Sequence, residues 1–243
     1  MKTYLITFVL FCSYTVFSQN IEGKITYIAS TKKALDYRNN NDNGKGDLKI
    51  KNDVNEIYKK AKDVEVILSF NELLSEYYVI DKLEVGNEKN LNITHIMAGS
   101  EKKYYTSNSF SGYESNTLDC YILGECFLIE NTLPKWELLQ ATKDIGGFLC
   151  YRAILKNPKT GKPNLEAWYT PKIPYQYGVM NYFGLPGLIL EINKNTFSIT
   201  AIKIELNPKE KIEIGEPQKV KKITQKEFKA MTRKAIPEFY KKN

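Results

Sequence analysis

The chain has 243 residues, 42% of them hydrophobic, and 35 basic against 28 acidic residues give it a net charge of +7. A chain of that length can bury on the order of 70% of its unfolded surface, so it needs neither a metal nor a dense disulfide framework to fold. Its single histidine all but excludes an imidazole-based zinc centre, and scattered lysines with no recognisable binding motif make nucleic acid a poor partner.

Residues 1–18 have the make-up of a signal peptide: Lys2 at the positive end, Tyr4–Phe11 as the apolar centre, and Val16-Phe17-Ser18 before the cut. Cleavage after Ser18 leaves Gln19 first, and cleavage one residue later fits almost as well. The apolar run is short for a membrane span, and bulky Phe11 ahead of Cys12 argues against a lipidated cysteine. The expectation is an exported protein, periplasmic, outer-membrane associated or secreted, with no transmembrane segment once the signal is cut. Residues 19–243 read as one β-rich domain, since 17 Tyr and 11 Phe favour strands, where wide rings pack on a pleated surface.

Ile21, Gly23, Ile25, Tyr27 and Ala29 alternate with Glu22, Lys24 and Thr26, which predicts a strand with one face inward. From Thr31 the alternation fails, and Arg38–Gly46 has so little to bury that it reads as a surface loop. Asn52 or Asp53 is placed to cap a helix running to Ala61, with Val54, Ile57 and Tyr58 on one side. Strands are then predicted at Val64–Phe70, Ser75–Ile80, Asn92–Ala98 and Lys102–Thr106, with Ser107–Asn116 as a polar loop. Leu118–Leu123 and Cys126–Glu130 form a further pair. Lys135–Gln140 and Phe148–Leu155 flank a connection at Thr142–Gly147, and Leu165–Thr170 follows.

The stretch Ala167–Ile192 combines the stiffest backbone with the densest apolar run. Pro186 and Gly187 suit the two central positions of a type II turn in Leu185–Leu188, and Leu188-Ile189-Leu190 is apolar on both alternating faces, with Glu191 beginning to face water. In Phe197–Leu206 the inward phase slips between Ile199 and Ile202, which predicts a bulge near Thr200-Ala201. Thr224-Gln225-Lys226-Glu227 is a capping box that opens a helix with Phe228, Met231 and Ala235 inward, until Pro237. The C-terminal lysines could meet an anionic surface, but their plainer reading is a solvated helix face.

Cys120, Cys126 and Cys150 remain after signal cleavage. A bridge between Cys120 and Cys126 competes with pairing of Cys150 to either, and one thiol is left over in any scheme.

The hexapeptide Gly184-Leu185-Pro186-Gly187-Leu188-Ile189 spells the name of the GLPGLI family, exported proteins of Bacteroidota, and the chain resembles that family more widely. Trp136, Thr142–Phe148, Cys150, Ala153 and Ala167–Pro171 are similar to its upstream block, and Gly23 with Tyr27 to its first strand. The resemblance implies export and a β-rich fold, and it supplies no catalytic residue. The expected fold is mainly β (α+β): one curved antiparallel sheet or half-barrel closed by one or two helices, in outline like periplasmic lipoprotein carriers.

No metal, cofactor or nucleophile string stands out. His95 falls in a strand pattern, where a packed histidine is the plain reading. Asp119, Glu125, Glu166 and Glu191 are the acids nearest apolar strands, as an acid-residue hydrolase would require. Trp168, Tyr169, Tyr175, Tyr177, Tyr182 and Phe183 form a proline-stiffened aromatic cluster that could dock on a partner or pack inside. The leading expectation is a non-catalytic envelope protein that binds an apolar or amphipathic, lipid-like ligand or docks on an outer-membrane protein. The rivals are the hydrolase and a purely structural protein.

Overall fold

The computed structural model describes residues 21–41, 48–80, 92–215 and 217–240. The expected signal peptide, with Cys12, and the greater part of the loop expected at 38–46 lie outside the described residues. In chain order the first elements are β1 (Gly23–Ser30), α1 (Lys33–Asn40), α2 (Leu48–Lys59), β2 (Val64–Phe70), β3 (Leu74–Val79) and α3 (Ile93–Ala98). Then come β4 (Lys103–Ser109), β5 (Gly112–Asp119), β6 (Phe127–Glu130), β7 (Glu137–Ile145), β8 (Phe148–Lys156) and β9 (Pro163–Thr170). The last are β10 (Leu188–Lys194), β11 (Phe197–Leu206), β12 (Lys221–Thr224), α4 (Gln225–Ala235) and a 3-10 turn at Pro237–Tyr240.

The strands make one curved, open, 12-stranded sheet, the mainly β class that the alternating patterns anticipate. It grows both ways from β1. On one side β2 to β6 follow as an antiparallel meander in which each strand pairs with its sequence neighbour, through short turns at β2–β3 and β4–β5 and through the connection bearing α3 at β3–β4. On the other, β11 pairs with β1 and the order runs back to β7 at the edge. β12 closes the far end beside β6, in parallel, after the whole second meander has been laid down.

Register defines the buried face. Ile25, Leu68, Tyr77, Tyr104, Thr117, Ile129 and Ile223 lie opposite one another in a single row across neighbouring strands, and all are buried. We call this the inner face. The predicted slip in β11 is a bulge with Ile202 as the extra residue: Tyr27 pairs with Ala201 and Thr26 with Lys203, so Ile204 returns to the inner row opposite Ile25.

Local readings fail where a side chain far away in sequence decides. Asn92–Ala98 is the helix α3 and no strand: Asn92 accepts from Thr94 N at 3.2 Å and also clasps Lys62 through both its backbone N–H and its carbonyl. Buried Thr94 bonds Thr31 at 2.7 Å, and the Ala98 carbonyl accepts the Tyr77 hydroxyl at 2.9 Å. Residues 107–116 are largely strand, a hairpin of β4 and β5 that turns between Ser109 and Gly112. Likewise Thr142–Ile145 belong to β7, and the turn is only Gly146-Gly147, both at positive φ. The helix expected to run to Ala61 begins at Leu48 and ends at Lys59.

The proline–glycine corner is tighter than a type II turn. Gly187 N bonds the Leu185 carbonyl at 2.7 Å, while Leu188 N, which a type II turn would direct to Leu185, is taken by the Ile173 carbonyl at 3.0 Å. Gly187 sits at φ 146°, and a Cβ there would collide with the Thr170 carbonyl. Leu188, Ile189 and Leu190 are fully buried. Glu191 does not face water: it is 8% exposed and paired with Lys143.

Candidate functional site

The inner face is covered in two places. Residues 171–187 fold over one part, seated by Leu188 N on Ile173, Ile189 N on the Tyr177 carbonyl at 3.1 Å and Gly184 N on the Gln176 carbonyl at 2.9 Å. Tyr175 and Tyr177 stack on each other at 5.4 Å and meet Phe70 edge-on and tilted respectively, and the Tyr177 hydroxyl donates to the Glu72 carbonyl at 3.1 Å. Trp136 Nε1 donates to the Phe183 carbonyl at 2.8 Å. Helix α4 forms the second cover. Its capping box is complete, with Thr224 accepting from Glu227 N and Glu227 from Thr224 N, and Phe228 and Met231 pack on Phe127, Ile129 and Ile223. Thr232, rather than the expected Ala235, is its buried position.

The rings of residues 171–187 therefore pack inward as a plug. Tyr175, Tyr177 and Phe183 are buried and Tyr182 is half-buried, because Ile173, Val179 and Leu185 between them anchor the segment in the core, whereas Tyr169 and Trp168 are buried on β9, Trp168 on the opposite face beside Glu166 and Lys143. An open apolar concavity for a lipid-like ligand is filled here by the chain's own rings.

Between the two covers the sheet stays open as a cleft of about 330 Å3. Its floor is the inner row at Tyr104, Thr117 and Ile129, where one polar residue interrupts the apolar ones, with Asn131 just past the end of β6. Asn181 enters from the tip of the first cover, and Gln225, Phe228 and Lys229 from α4. Lys102 enters from the turn after α3. Asn131 holds Thr117 Oγ1 at 3.1 Å and donates to Ser115 Oγ at 3.1 Å, so its amide is fixed from the sheet side. Two of the four non-glycine residues at positive φ among the described residues flank the cleft: Met180 at 55°, beside Asn181, and Ser100 at 54°, two residues before Lys102.

The acids named from sequence do not meet in this cleft. Asp119 is buried with Lys102 Nζ 3.1 Å from its Oδ2; that oxygen has no aligned hydrogen bond, so attraction to the ammonium is what compensates its charge. Its Oδ1 accepts from Tyr121 N and Ile122 N, which seats the loop that a disulfide between Cys120 and Cys126 closes. Glu125 is exposed. Glu166 and Glu191 lie on adjacent strands on the opposite face, each with its own partners. Glu166 takes Arg152 Nη2 at 2.6 Å and Trp168 Nε1 at 2.7 Å; Glu191 takes Lys143 Nζ at 2.6 Å and the Asn193 amide. Lys143 also lies 4.4 Å above the Trp168 ring.

Cys150 is a free, buried thiol, pushed up to about 11 by burial. Burial also raises Tyr27, Tyr77, Tyr104 and Tyr177, for want of water to solvate a phenolate. His95 sits half-buried on α3. No group of three or more His, Cys, Asp or Glu residues placed to hold a metal occurs among the described residues.

Sequence reasoning placed Phe228 inward on its helix but marked none of the cleft's polar residues as a site. Lys102, Asn131, Asn181, Gln225 and Lys229 are ordinary polar residues from separate elements, and no spacing links them.

The fold and its cleft define a curved, open β-sheet protein with a partly covered inner face. Within it, residues 159–191 match the model of a protein family of unknown function, Porph_ging; this stretch contains the hexapeptide, and the match does not carry the GLPGLI name. The chain is similar in fold to two crystal forms of PNGF-II, in space groups C2 and P21, at 13% and 12% identity and a TM-score of 0.51 in both. The likeness covers 89% of this chain but 33% and 34% of theirs, so the chain spans about a third of PNGF-II. At that identity the likeness is one of fold alone. No curated protein matches the chain.

Proposed function

We propose that this is an exported, non-catalytic protein of the cell envelope that binds a polar ligand in the cleft between residues 171–187 and α4. The observation that carries the reading is the change of character along the inner row. Where residues 171–187 cover it the row is apolar and filled; where it is open Thr117 and Asn131 interrupt Tyr104, Ile129 and Phe228, and Asn181, Gln225 and Lys229 face them. Small-molecule sites are concave and hold a few converging polar groups, as this part of the sheet does.

Export is supported by the signal-like residues 1–18 and by the Cys120–Cys126 bridge, since disulfides persist in oxidising compartments. The non-catalytic reading is supported by the separate neutralisation of Glu166 and Glu191, because an acid-residue hydrolase needs one carboxyl held protonated near a second. Native mass spectrometry of protein purified from its own envelope tests the proposal. A bound mass is expected for the wild type and its loss for Asn181→Ala/Gln225→Ala; a bare mass for both overturns the reading.

A further inference from the structure

We infer that the cleft takes a saccharide carrying an acidic group, an inference that rests on the binding reading above and names its ligand class. The lining includes two ammonium groups, Lys102 and Lys229, and no carboxylate. Lys102 is already shared with Asp119, whereas Lys229 has no side-chain partner among the described residues. The free charge is therefore that of Lys229, exposed on α4, and an anionic group in the cleft would gain it as a partner.

The other lining groups select among anions. Asn181 and Gln225 are carboxamides able to donate and accept, which suits sugar hydroxyls, while the amide of Asn131 is largely engaged by Thr117 and Ser115. Asn181 has no side-chain partner among the described residues, and Gln225 makes only a long contact to Asn131 at 3.4 Å. Phe228 supplies an apolar wall for the C–H face of a sugar ring, and its edge-to-face contact with Phe127 at 6.2 Å holds that wall in place.

Other ligand classes fit less well. An extended peptide adds to a free strand edge, but β4, β5 and β6 under the cleft are each paired on both sides. A lipid chain could contact Tyr104, Ile129 and Phe228 but would also cover Thr117, Asn131 and Asn181 without offering them a hydrogen bond. A bare phosphate site is usually built from arginine forks or nests of backbone N–H groups, and no arginine or glycine lines the cleft. The volume, about 330 Å3, is at the small end for ligand sites, where roughly 300–1,000 Å3 is usual.

The acidic group could be a carboxylate or a phosphate ester, and the experiment separates them. The mature chain is titrated at physiological salt with glucuronic acid, glucose 6-phosphate, glucose and acetate, and read by calorimetry and by amide shifts. At least one acidic sugar is expected to bind about tenfold tighter than glucose, with the shifts mapping to Asn131, Asn181 and α4. Whichever acidic sugar wins identifies the acid. Lys229→Gln should remove most of that preference, weakening the acidic sugar more than glucose, and Asn181→Ala should weaken both. Equal binding of acidic sugar and glucose, equal binding of acidic sugar and acetate, no binding, or shifts mapping elsewhere each overturn the inference. If the envelope-purified protein still carries a mass that Asn181→Ala/Gln225→Ala removes, the binding reading survives that failure; if it carries none, both fall.

Discussion

The hydroxyl of Tyr27, in the middle of β1, donates to the carbonyl of Ile189 at 2.8 Å inside the core. β11 lies between the two strands, so the bond ties the first strand to the hexapeptide across an intervening one. Tyr27→Phe keeps the ring and leaves the Ile189 carbonyl buried with one partner fewer. The expected cost is about 1–3 kcal/mol, read from urea unfolding. An unchanged midpoint would show that the bond contributes nothing.

Alkali should destabilise the fold. Cys150 ordinarily titrates near 9.0 and is held up to about 11, and Tyr27, Tyr77, Tyr104 and Tyr177 are all raised above 10.0, in each case chiefly by burial. A buried acid with a raised value keeps its proton in the folded chain after the unfolded chain has lost it. Stability is therefore full below pH 9 and falls as pH rises through 9–11 and beyond. Melting temperatures across that range check it, and the same burial predicts that Cys150 resists thiol reagents at pH 8 until the chain unfolds.

Gly187→Ala should be severe and Pro186→Ala mild. The first forces a side chain into the Thr170 carbonyl at a φ that L residues rarely adopt, at a cost of about 3 kcal/mol or more. The second loosens only the unfolded chain's restriction, about 1 kcal/mol. Chemical denaturation of both variants gives the comparison, and equal losses would contradict the role of the corner.

The Lys143–Glu191 pair is a constraint more than a source of stability. Lys143→Met strands Glu191, 8% exposed, and should cost about 2 kcal/mol or more; adding Glu191→Leu should recover most of it. A double-mutant cycle measures both steps. Activity in any substrate assay plays no part in this expectation.

α4 and β12 should open before the rest of the sheet. Their contact is the small cluster of Phe127, Ile129 and Ile223 with Phe228 and Met231, separate from the main core, and β12 pairs over four residues. Hydrogen exchange should therefore release Ile223 and the α4 amides ahead of β1, β2 and β11. Phe228→Ala should speed that release while leaving the exchange of β1 unchanged.

Strands, helix α4 and the buried Leu188–Leu190 run were legible in sequence because period-2 alternation, the capping box and the paired turn residues are local signals. α3 was not, because Asn92–Ala98 has the composition of a strand and becomes a helix only through partners as distant as Lys62, Thr31 and Tyr77. The aromatic cluster was visible, but whether it faced out or in depended on Phe70 and Glu72, which the linear order places about a hundred residues away. The amino-acid sequence by itself determined a mainly β chain organised around a buried proline–glycine corner, since side-chain patterning and φ preferences act within a few residues. Only the tertiary structure decided which part of the inner face stays open, because that follows from where residues 171–187 and α4 come to rest, and a cleft made of single residues from separate elements has no linear signature.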